Sequence, residues 1–197
     1  MSSKIHPTAI VAKGAQVSDN AEIGAYSVIG PEVKLSAGVR VGNFCVIDGD
    51  TTIGENSKIF TGAVIGSIPQ DLKYDGAKSA VVIGSNNIIR EYVTINLSTA
   101  ENSKTMVGSN NLIMAYSHVA HDCIVGNNCV IANSGTLAGH VTLEDKVTVG
   151  GLVAIHQFVR VGKMSIIGGC SKVVTDIPPF STCDGHPAKF FGLNLVG

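Results

Sequence analysis

The chain contains no tryptophan, and only 5% of its 197 residues are aromatic. It therefore lacks the large side chains that dominate the centre of most globular domains. Lys and Arg total 14 against 15 Asp and Glu, which gives a net charge of −1, and no basic patch suited to nucleic acid is expected. No apolar run approaches the roughly 20 residues that span a membrane. Nucleic-acid binding and membrane insertion are excluded from the expected functions.

An aliphatic residue at every sixth position is the strongest pattern that is present. The frame runs from Ile5 to Val173, and Ile, Val or Leu fills 26 of its 29 positions, with Asp71, Ala77 and Glu101 as the exceptions. A repeat at fixed period indicates a stacked solenoid. Three hexapeptides make one triangular coil, so the frame predicts an all-β parallel β-helix of about nine to ten coils.

Two interruptions and a tail complete the predicted organisation of a single domain, residues 1–197. The first interruption, near 67–81, is polar and drops the repeat for two hexapeptides. The second, near 96–106, is rich in Ser, Thr and Asn. Both are predicted to be loops, and loops on a rigid scaffold commonly line functional sites. A short tail is expected at 178–197, and any helix should be minor, because no 3.6-residue period is sustained.

The start of the chain and its cysteines indicate the cellular compartment. The polar start of the chain leaves no room for a signal peptide, so a cytoplasmic location is predicted. Five cysteines without a CxxC pair argue against a disulfide framework or a zinc ribbon. Cys45, Cys123 and Cys129 each follow a frame residue by four positions, where a small inward side chain is needed, and they are interpreted as packing residues.

Four histidines, His118, His121, His140 and His156, fall within little more than two coils. Because one coil takes three hexapeptides, His121, Gly139 and Gln157 stack in one column and Asp122 and His140 in the next. A neutral imidazole suits general-base chemistry, and an adjacent carboxylate can orient it. Gly139, with no side chain, leaves its backbone N–H open to a developing oxyanion. The pattern favours a catalytic cluster, although periodicity alone does not show that the rings converge.

The chain resembles the UDP-N-acetylglucosamine acyltransferases that open lipid A synthesis. The resemblance covers essentially the whole chain and is most specific in the His-x-x-His-Asp-Cys segment and the Gln-Asp-Leu-Lys segment. Matching segments are residues 70–74, 89–95, 118–123, 137–140, 155–158 and 168–171. The resemblance implies a left-handed coil, a homotrimer with sites between neighbouring subunits, and no cofactor or metal.

The activity that this resemblance implies is transfer of a (3R)-hydroxyacyl chain from acyl carrier protein to the 3-hydroxyl of UDP-N-acetylglucosamine. In that scheme His121 is the general base, Asp122 orients it, and the Gly139 amide stabilises the oxyanion. Residues implied in binding the nucleotide sugar or the acyl donor are Gln70, Asp71, Lys73, His118, His140, Gly151, His156, Gln157, Gly169 and Asn194. Of these, Gly151 and Gly169 match the pantetheine and acyl groove, and Asn194 matches a nucleotide contact.

One departure and three alternatives accompany this interpretation. The family normally continues into a helical C-terminal domain, whereas this sequence ends at Gly197. A γ-type carbonic anhydrase uses the same scaffold and binds zinc through three histidines, but its paired histidines are five apart, while His118 and His121 are three apart. A non-catalytic trimeric relative that binds nucleotide sugars is the second alternative. The third is a sugar acyltransferase acting on an amine.

Overall fold

The computed structural model describes residues 4–195, and these residues form 28 strands and no helix. This agrees with the expectation that any helix would be minor. In chain order the strands are β1 Lys4–Ile5, β2 Ile10–Val11, β3 Gln16–Val17, β4 Glu22–Ile23, β5 Val28–Ile29, β6 Lys34–Leu35, β7 Arg40–Val41, β8 Val46–Ile47, β9 Asp50–Ile53, β10 Lys58–Ile59, β11 Val64–Ser67, β12 Ala80–Ile83, β13 Ile88–Ile89, β14 Thr94–Asn96, β15 Lys104–Val107, β16 Leu112–Ile113, β17 His118–Val119, β18 Ile124–Val125, β19 Val130–Ile131, β20 Thr136–Leu137, β21 Thr142–Leu143, β22 Thr148–Val149, β23 Ala154–Ile155, β24 Arg160–Val161, β25 Ile166–Ile167, β26 Lys172–Val173, β27 Ser181–Gly185 and β28 Ala188–Leu193.

The strands are arranged as a left-handed parallel β-helix with three faces. Sheet A runs from β1 through every third strand to β25 and ends with β27 and β28; sheet B runs from β2 to β26 and sheet C from β3 to β24. Each of the strands β1 to β26 contains one aliphatic frame residue. The predicted all-β hexapeptide coil is confirmed, with nearly nine full turns.

The core is a narrow column because the frame residue of each strand from β4 to β26 is buried. Ile29, Ile65, Ile113 and Leu137 are among the side chains with no exposed surface. Small residues two positions before the frame fill the space between them, and Cys45, Cys123 and Cys129 occupy such positions with at most 1% exposure. Burial raises the pKa of the Cys123 thiol to about 12, so this cysteine stays protonated and acts in packing.

Each corner of the coil has two positions with a special backbone requirement. Glycines directly after the frame residue, such as Gly42, have no room for a Cβ, because the backbone of the next coil lies against them. The left-handed backbone conformation belongs instead to the residue three places after the frame, for example Tyr26, Asp122 and His140 with φ of 58°, 61° and 63°. The side chains of these residues project outward and form stacks along the corners.

Two longer connections break the regular step of three hexapeptides per coil. Lys58 pairs with Ile88, and Ile88 pairs with Leu112, so these two steps take five and four hexapeptides. The added segments form a long loop, residues 68–79, between β11 and β12, and a short loop, residues 97–103, between β14 and β15. Because both steps are whole numbers of hexapeptides, the aliphatic frame resumes in phase after each loop.

The tail folds back on the last coil. β27 extends sheet A beside β25 in parallel, and β28 pairs with β27 in antiparallel orientation. This hairpin covers the edge of β25, the last strand that the coil contributes to sheet A. Residues 4–195 contain no helix of the length and hydropathy needed to cross a membrane.

Candidate active site

The corner between sheets B and C carries the histidine cluster. β17 leads into His121 and Asp122, and one coil further β20 leads into Gly139 and His140. The register between these coils is regular, since His118 pairs with Thr136. Residues one coil apart therefore lie above one another at the strand spacing of about 4.8 Å.

The imidazole of His121 is held by its neighbour in sequence. Nδ1 of His121 lies 2.8 Å from Oδ2 of Asp122, and the two side chains are only 12% and 11% exposed. A carboxylate accepts hydrogen bonds and donates none, so Nδ1 carries the proton. The lone pair of Nε2 is then free to accept a proton from a substrate, which is the arrangement that a general base requires.

Gly139 lies directly against the ring of His121. A Cβ atom built on Gly139 would overlap Cε1 of His121 and stand 2.6 Å from Nε2. Within residues 4–195 the amide of Gly139 donates no hydrogen bond to another protein group. The absence of a side chain thus gives the imidazole its space and leaves a backbone donor beside the reactive nitrogen.

Asp122 is the most heavily hydrogen-bonded side chain of the cluster. Its carboxylate accepts bonds from the hydroxyls of Ser98 and Thr99, and the Thr99 hydroxyl is 2.6 Å from Oδ2. The Thr99 amide lies 3.3 Å from the same oxygen. Burial by itself raises the pKa of Asp122, but the bonds from Ser98, Thr99 and His121 outweigh it and hold the pKa below its ordinary value. Asp122 is therefore charged at neutral pH.

The long loop brings a second carboxylate to the other side of the imidazole. Oδ2 of Asp71 is 4.0 Å from Nε2 of His121, and Oδ1 of Asp71 accepts a bond from the backbone of Lys73 at 2.8 Å. The side chains of Gln70 and Lys73 are exposed beside it. A cleft of about 640 Å³ opens between the two loops and is lined by Asp71, Lys73 and Thr99, among others. A polar substrate group near His121 would meet this loop.

His140 forms the next layer below Asp122. Its Nε2 is 3.6 Å from Oδ2 of Asp122, and its ring stands edge-on to His121 with centroids 5.3 Å apart. The exposed ring of Phe158, one coil further, stacks on His140 at 4.5 Å. Stacking of aromatic rings at this distance restrains both of them. Two imidazoles therefore face the same carboxylate oxygen.

His118 lies on sheet B beside this corner and is partly buried. Its Nδ1 is 2.7 Å from the hydroxyl of Thr94, which is on the strand above. Burial, and secondarily the charge of His121, lowers the pKa of His118 below its ordinary value. His118 is thus neutral over most of the physiological pH range, which suits a role as a hydrogen-bonding group rather than a cation.

The lowered pKa values of His118 and Asp122 predict how stability depends on pH. As pH falls below 6.5, the unfolded chain binds a proton at His118 before the folded chain does, so the free energy of unfolding decreases. Below pH 3.8 Asp122 adds a second decrease, which continues as pH falls through its folded pKa. We expect His118→Gln to flatten the slope just below pH 6.5, by at most about 1.4 kcal/mol per pH unit.

Urea unfolding between pH 4.5 and 7.5 measures this slope. His6→Gln is the matched control, because His6 is exposed and far along the chain from the cluster. Equal slopes for wild type and His118→Gln would contradict the prediction.

The other sequence-predicted residues lie around this centre at different distances. His156 and Gln157 are exposed one coil below Gly139, and Nδ1 of His156 is 3.2 Å from the Gln157 carbonyl. Gly151 and Gly169 stack at the corner between sheets A and B, where a Cβ on Gly169 would stand 3.3 Å from the Gly151 carbonyl. Asn194 lies at the third corner and donates to the Met164 carbonyl at 2.7 Å. Within one chain Asn194 is not brought to His121.

Three polar residues of this site were missed at the level of sequence. Ser98 and Thr99 belong to a segment that the sequence indicated only as a loop, and the hydroxyl oxygen of Thr105 accepts a bond from the Asp122 amide at 2.9 Å. The short loop has no repeat that would reveal which of its side chains turn toward Asp122. The only available signal was the loss of the aliphatic frame at Glu101.

Comparison with known proteins shows which family this chain resembles. Residues 104–139 match the bacterial transferase hexapeptide family (six repeats). An acyl-(acyl-carrier-protein)–UDP-N-acetylglucosamine O-acyltransferase of Campylobacter lari is 51% identical over 99% of this chain and 75% of its own length, and that of Gloeothece citriformis is 48% identical over 100% and 71%. The solved structure of UDP-N-acetylglucosamine acyltransferase from Campylobacter jejuni has a TM-score of 0.95 at 48% identity, covering 98% of this chain and 76% of its own.

Proposed function

The chain belongs to the UDP-N-acetylglucosamine O-acyltransferase family, and on that premise we propose that it acylates the 3-hydroxyl of UDP-N-acetylglucosamine from acyl carrier protein. This is the first step of lipid A biosynthesis, and the acyl chain is a (3R)-hydroxyacyl group. The observation that carries the proposal is the buried pair of His121 and Asp122, 2.8 Å apart, set against the bare backbone of Gly139.

The reaction proceeds by direct transfer. Nε2 of His121 removes the proton from the sugar hydroxyl as its oxygen attacks the thioester carbonyl, and Asp122 stabilises the imidazolium that forms. The N–H of Gly139 donates to the oxyanion of the tetrahedral intermediate. When this intermediate collapses, the C–S bond breaks and the imidazolium returns its proton to the pantetheine thiolate. The products are acylated sugar and free carrier-protein thiol.

The surrounding residues are assigned to substrate binding. Asp71, with Gln70 and Lys73, reaches over His121 from the long loop, so we place the sugar and its phosphates on that side. His118 and His140 line the same corner. His156 and Gln157 lie below Gly139, toward the stacked glycines Gly151 and Gly169, whose open backbone leaves room for the pantetheine arm and the acyl chain.

The assembly is proposed to be a homotrimer with sites between neighbouring subunits. Asn194 lies away from His121 within one chain, as it would if it contacted the nucleotide at a neighbour's site. Exposed aromatic side chains along the corner between sheets A and B, with Tyr92 and Tyr116 stacked at 5.3 Å, offer apolar surface for subunit contacts. Free cysteines agree with a reducing cytoplasm, where carrier protein and nucleotide sugar would be met.

Incubation with acyl donors and acceptor sugars tests the proposal. The purified protein is mixed with (3R)-hydroxyacyl carrier proteins of several chain lengths and with UDP-N-acetylglucosamine or its 3-amino analogue. Acylated nucleotide sugar, detected by mass spectrometry, is the expected product. Comparison of the 3-hydroxyl and 3-amino sugars identifies the acceptor atom. Comparison of the carrier proteins identifies the preferred acyl length. No acylated sugar in any arm would refute the proposed function.

A zinc enzyme is the second candidate, because one group of side chains has metal-ligand chemistry. The ligand atoms of His121, Asp122 and His140 lie within 4.8 Å of one another. However, Nδ1 of His121 is bonded to Asp122, whose oxygens already accept from Ser98 and Thr99. A cation bound through Oδ2 of Asp122 would compete with the bonds that this oxygen accepts from His121 and Thr99.

We therefore expect the purified protein to contain no stoichiometric zinc and acyl transfer to survive a chelator. Elemental analysis of protein purified without chelator gives the metal content, and activity before and after EDTA gives the dependence. One zinc per site together with lost activity after chelation would favour the zinc enzyme.

A further inference from the structure

The carboxylate of Asp122 faces two histidines, although only one of them can serve as the base. Oδ2 is 2.8 Å from Nδ1 of His121 and 3.6 Å from Nε2 of His140. A modest rotation of the carboxylate about its Cβ–Cγ bond would shorten the second distance and lengthen the first. His121 would then lose the acceptor that keeps the proton on Nδ1 and the lone pair on Nε2.

The short loop supplies donors that restrain this rotation. The Thr99 hydroxyl bonds Oδ2 at 2.6 Å, and the Ser98 hydroxyl bonds Oδ1. The Thr99 amide is within 3.4 Å of both oxygens. Because each oxygen has its own hydroxyl donor, the short loop restrains the orientation of the carboxylate plane. Charge-assisted hydrogen bonds of this kind are short and strong.

Resting on the proposed function, we infer that Ser98 and Thr99 are positioning residues that keep Asp122 on His121 and away from His140. No hydrogen bond joins either hydroxyl to His121 among the described residues. Their effect on the reaction passes through Asp122. The two loop hydroxyls thereby select which of two adjacent imidazoles becomes the base.

The short loop is itself anchored, which makes it a firm support. The Ser98 carbonyl accepts from the Ser79 hydroxyl at 2.5 Å, and Glu101 accepts from the Lys78 amide at 2.8 Å. The Asn102 amide donates to the Lys78 carbonyl at 2.8 Å. These bonds tie the short loop to the end of the long loop. The segment that carries the donors to Asp122 is thus fixed to the long loop at both of its ends, at Ser98 and at Glu101 and Asn102.

Thr99→Val tests the inference, because it removes the hydroxyl and keeps the shape. We expect kcat to fall about tenfold, as for a small misplacement of a catalytic group, with KM for both substrates within about twofold. Thr99→Ser, which keeps a hydroxyl, should recover most of the activity. Thr148→Val is the matched control, since Thr148 is a half-buried threonine on sheet A away from the cluster. Its kinetics should equal those of wild type.

Imidazole 15N NMR gives a readout that a purely structural role would not change. With signals assigned by comparison with His121→Ala, wild type should show His121 with its proton on Nδ1, and Thr99→Val should show a mixture of tautomers. Ser98→Ala should shift the mixture in the same direction and serves as the second variant if Thr99→Val does not fold.

Three results would overturn the inference: a single unchanged tautomer in Thr99→Val, wild-type kcat in that variant, or a raised KM with unchanged kcat, which would make Thr99 a substrate contact. The tautomer measurement needs no turnover. It therefore tests the positioning role even if the wild-type protein transfers no acyl group. Absence of acyl transfer would refute only the proposed function.

Discussion

His121→Ala is expected to reduce acyl transfer by about 10²- to 10⁴-fold, the range that a positioned general base contributes. Among the residues that the structure describes, His121 is the only imidazole hydrogen-bonded to Asp122, and its Nε2 lies beside Gly139. Removal leaves the sugar hydroxyl without a proton acceptor, so kcat should fall much more than KM rises. Steady-state kinetics with saturating acyl donor measure this loss.

The fold should survive His121→Ala, because the ring lies outside the aliphatic column. Thermal unfolding and sedimentation of the variant are expected to match wild type. His6→Ala serves as the control for loss of an exposed histidine, since His6 contacts Thr8 in the first coil, far from the cluster. Turnover of His121→Ala within a few-fold of wild type would remove the base assignment.

Gly139→Ala is expected to lower kcat by about 100-fold, because the added methyl group displaces the ring of His121. The added methyl would occupy the space of the His121 ring, overlapping Cε1 and approaching Nε2 to 2.6 Å. The backbone of Gly139 is not in the left-handed region, so the cause is steric rather than conformational. The ring must tilt away, and Nε2 of His121 then moves away from the backbone N–H of Gly139. Kinetics over pH 6 to 9 test whether the loss persists at every pH.

Gly192→Ala is the matched control for adding one methyl group. A Cβ at Gly192 meets no atom within 4 Å, and its φ is likewise outside the left-handed region. This variant should keep wild-type activity and melting temperature. If Gly139→Ala also kept full activity, the proposed packing of His121 on Gly139 would be contradicted.

The repeat made the scaffold predictable because each hexapeptide forms the same local structure, a short strand followed by a corner. One inward aliphatic residue per strand and a fixed coil length place His121 over Gly139 and Asp122 over His140 by counting alone. The counting holds between His118 and Phe158 because no insertion falls there. It would have failed across the two loops, where a coil takes five and four hexapeptides instead of three.

The loops could not be predicted in the same way, because no repeat constrains them. Asp71 reaches His121, and Ser98 and Thr99 reach Asp122, through turns specific to these segments. The sequence resemblance pointed to Asp71 as a binding residue but gave no hint of the two hydroxyls. The corner conformation of Asp122, with φ of 61°, likewise follows from the position in the coil and decides where its carboxylate points.

Strand pairing in this solenoid joins each coil only to the coils above and below. The groups assigned to chemistry lie in the middle turns, with further turns stacked on both sides. In such a linear array, fraying of an outer turn need not propagate inward. Amide hydrogen exchange should therefore be fastest in the first strands and slowest around β17 and β20. Catalysis would be buffered against local melting at the ends by the turns that take no part in it.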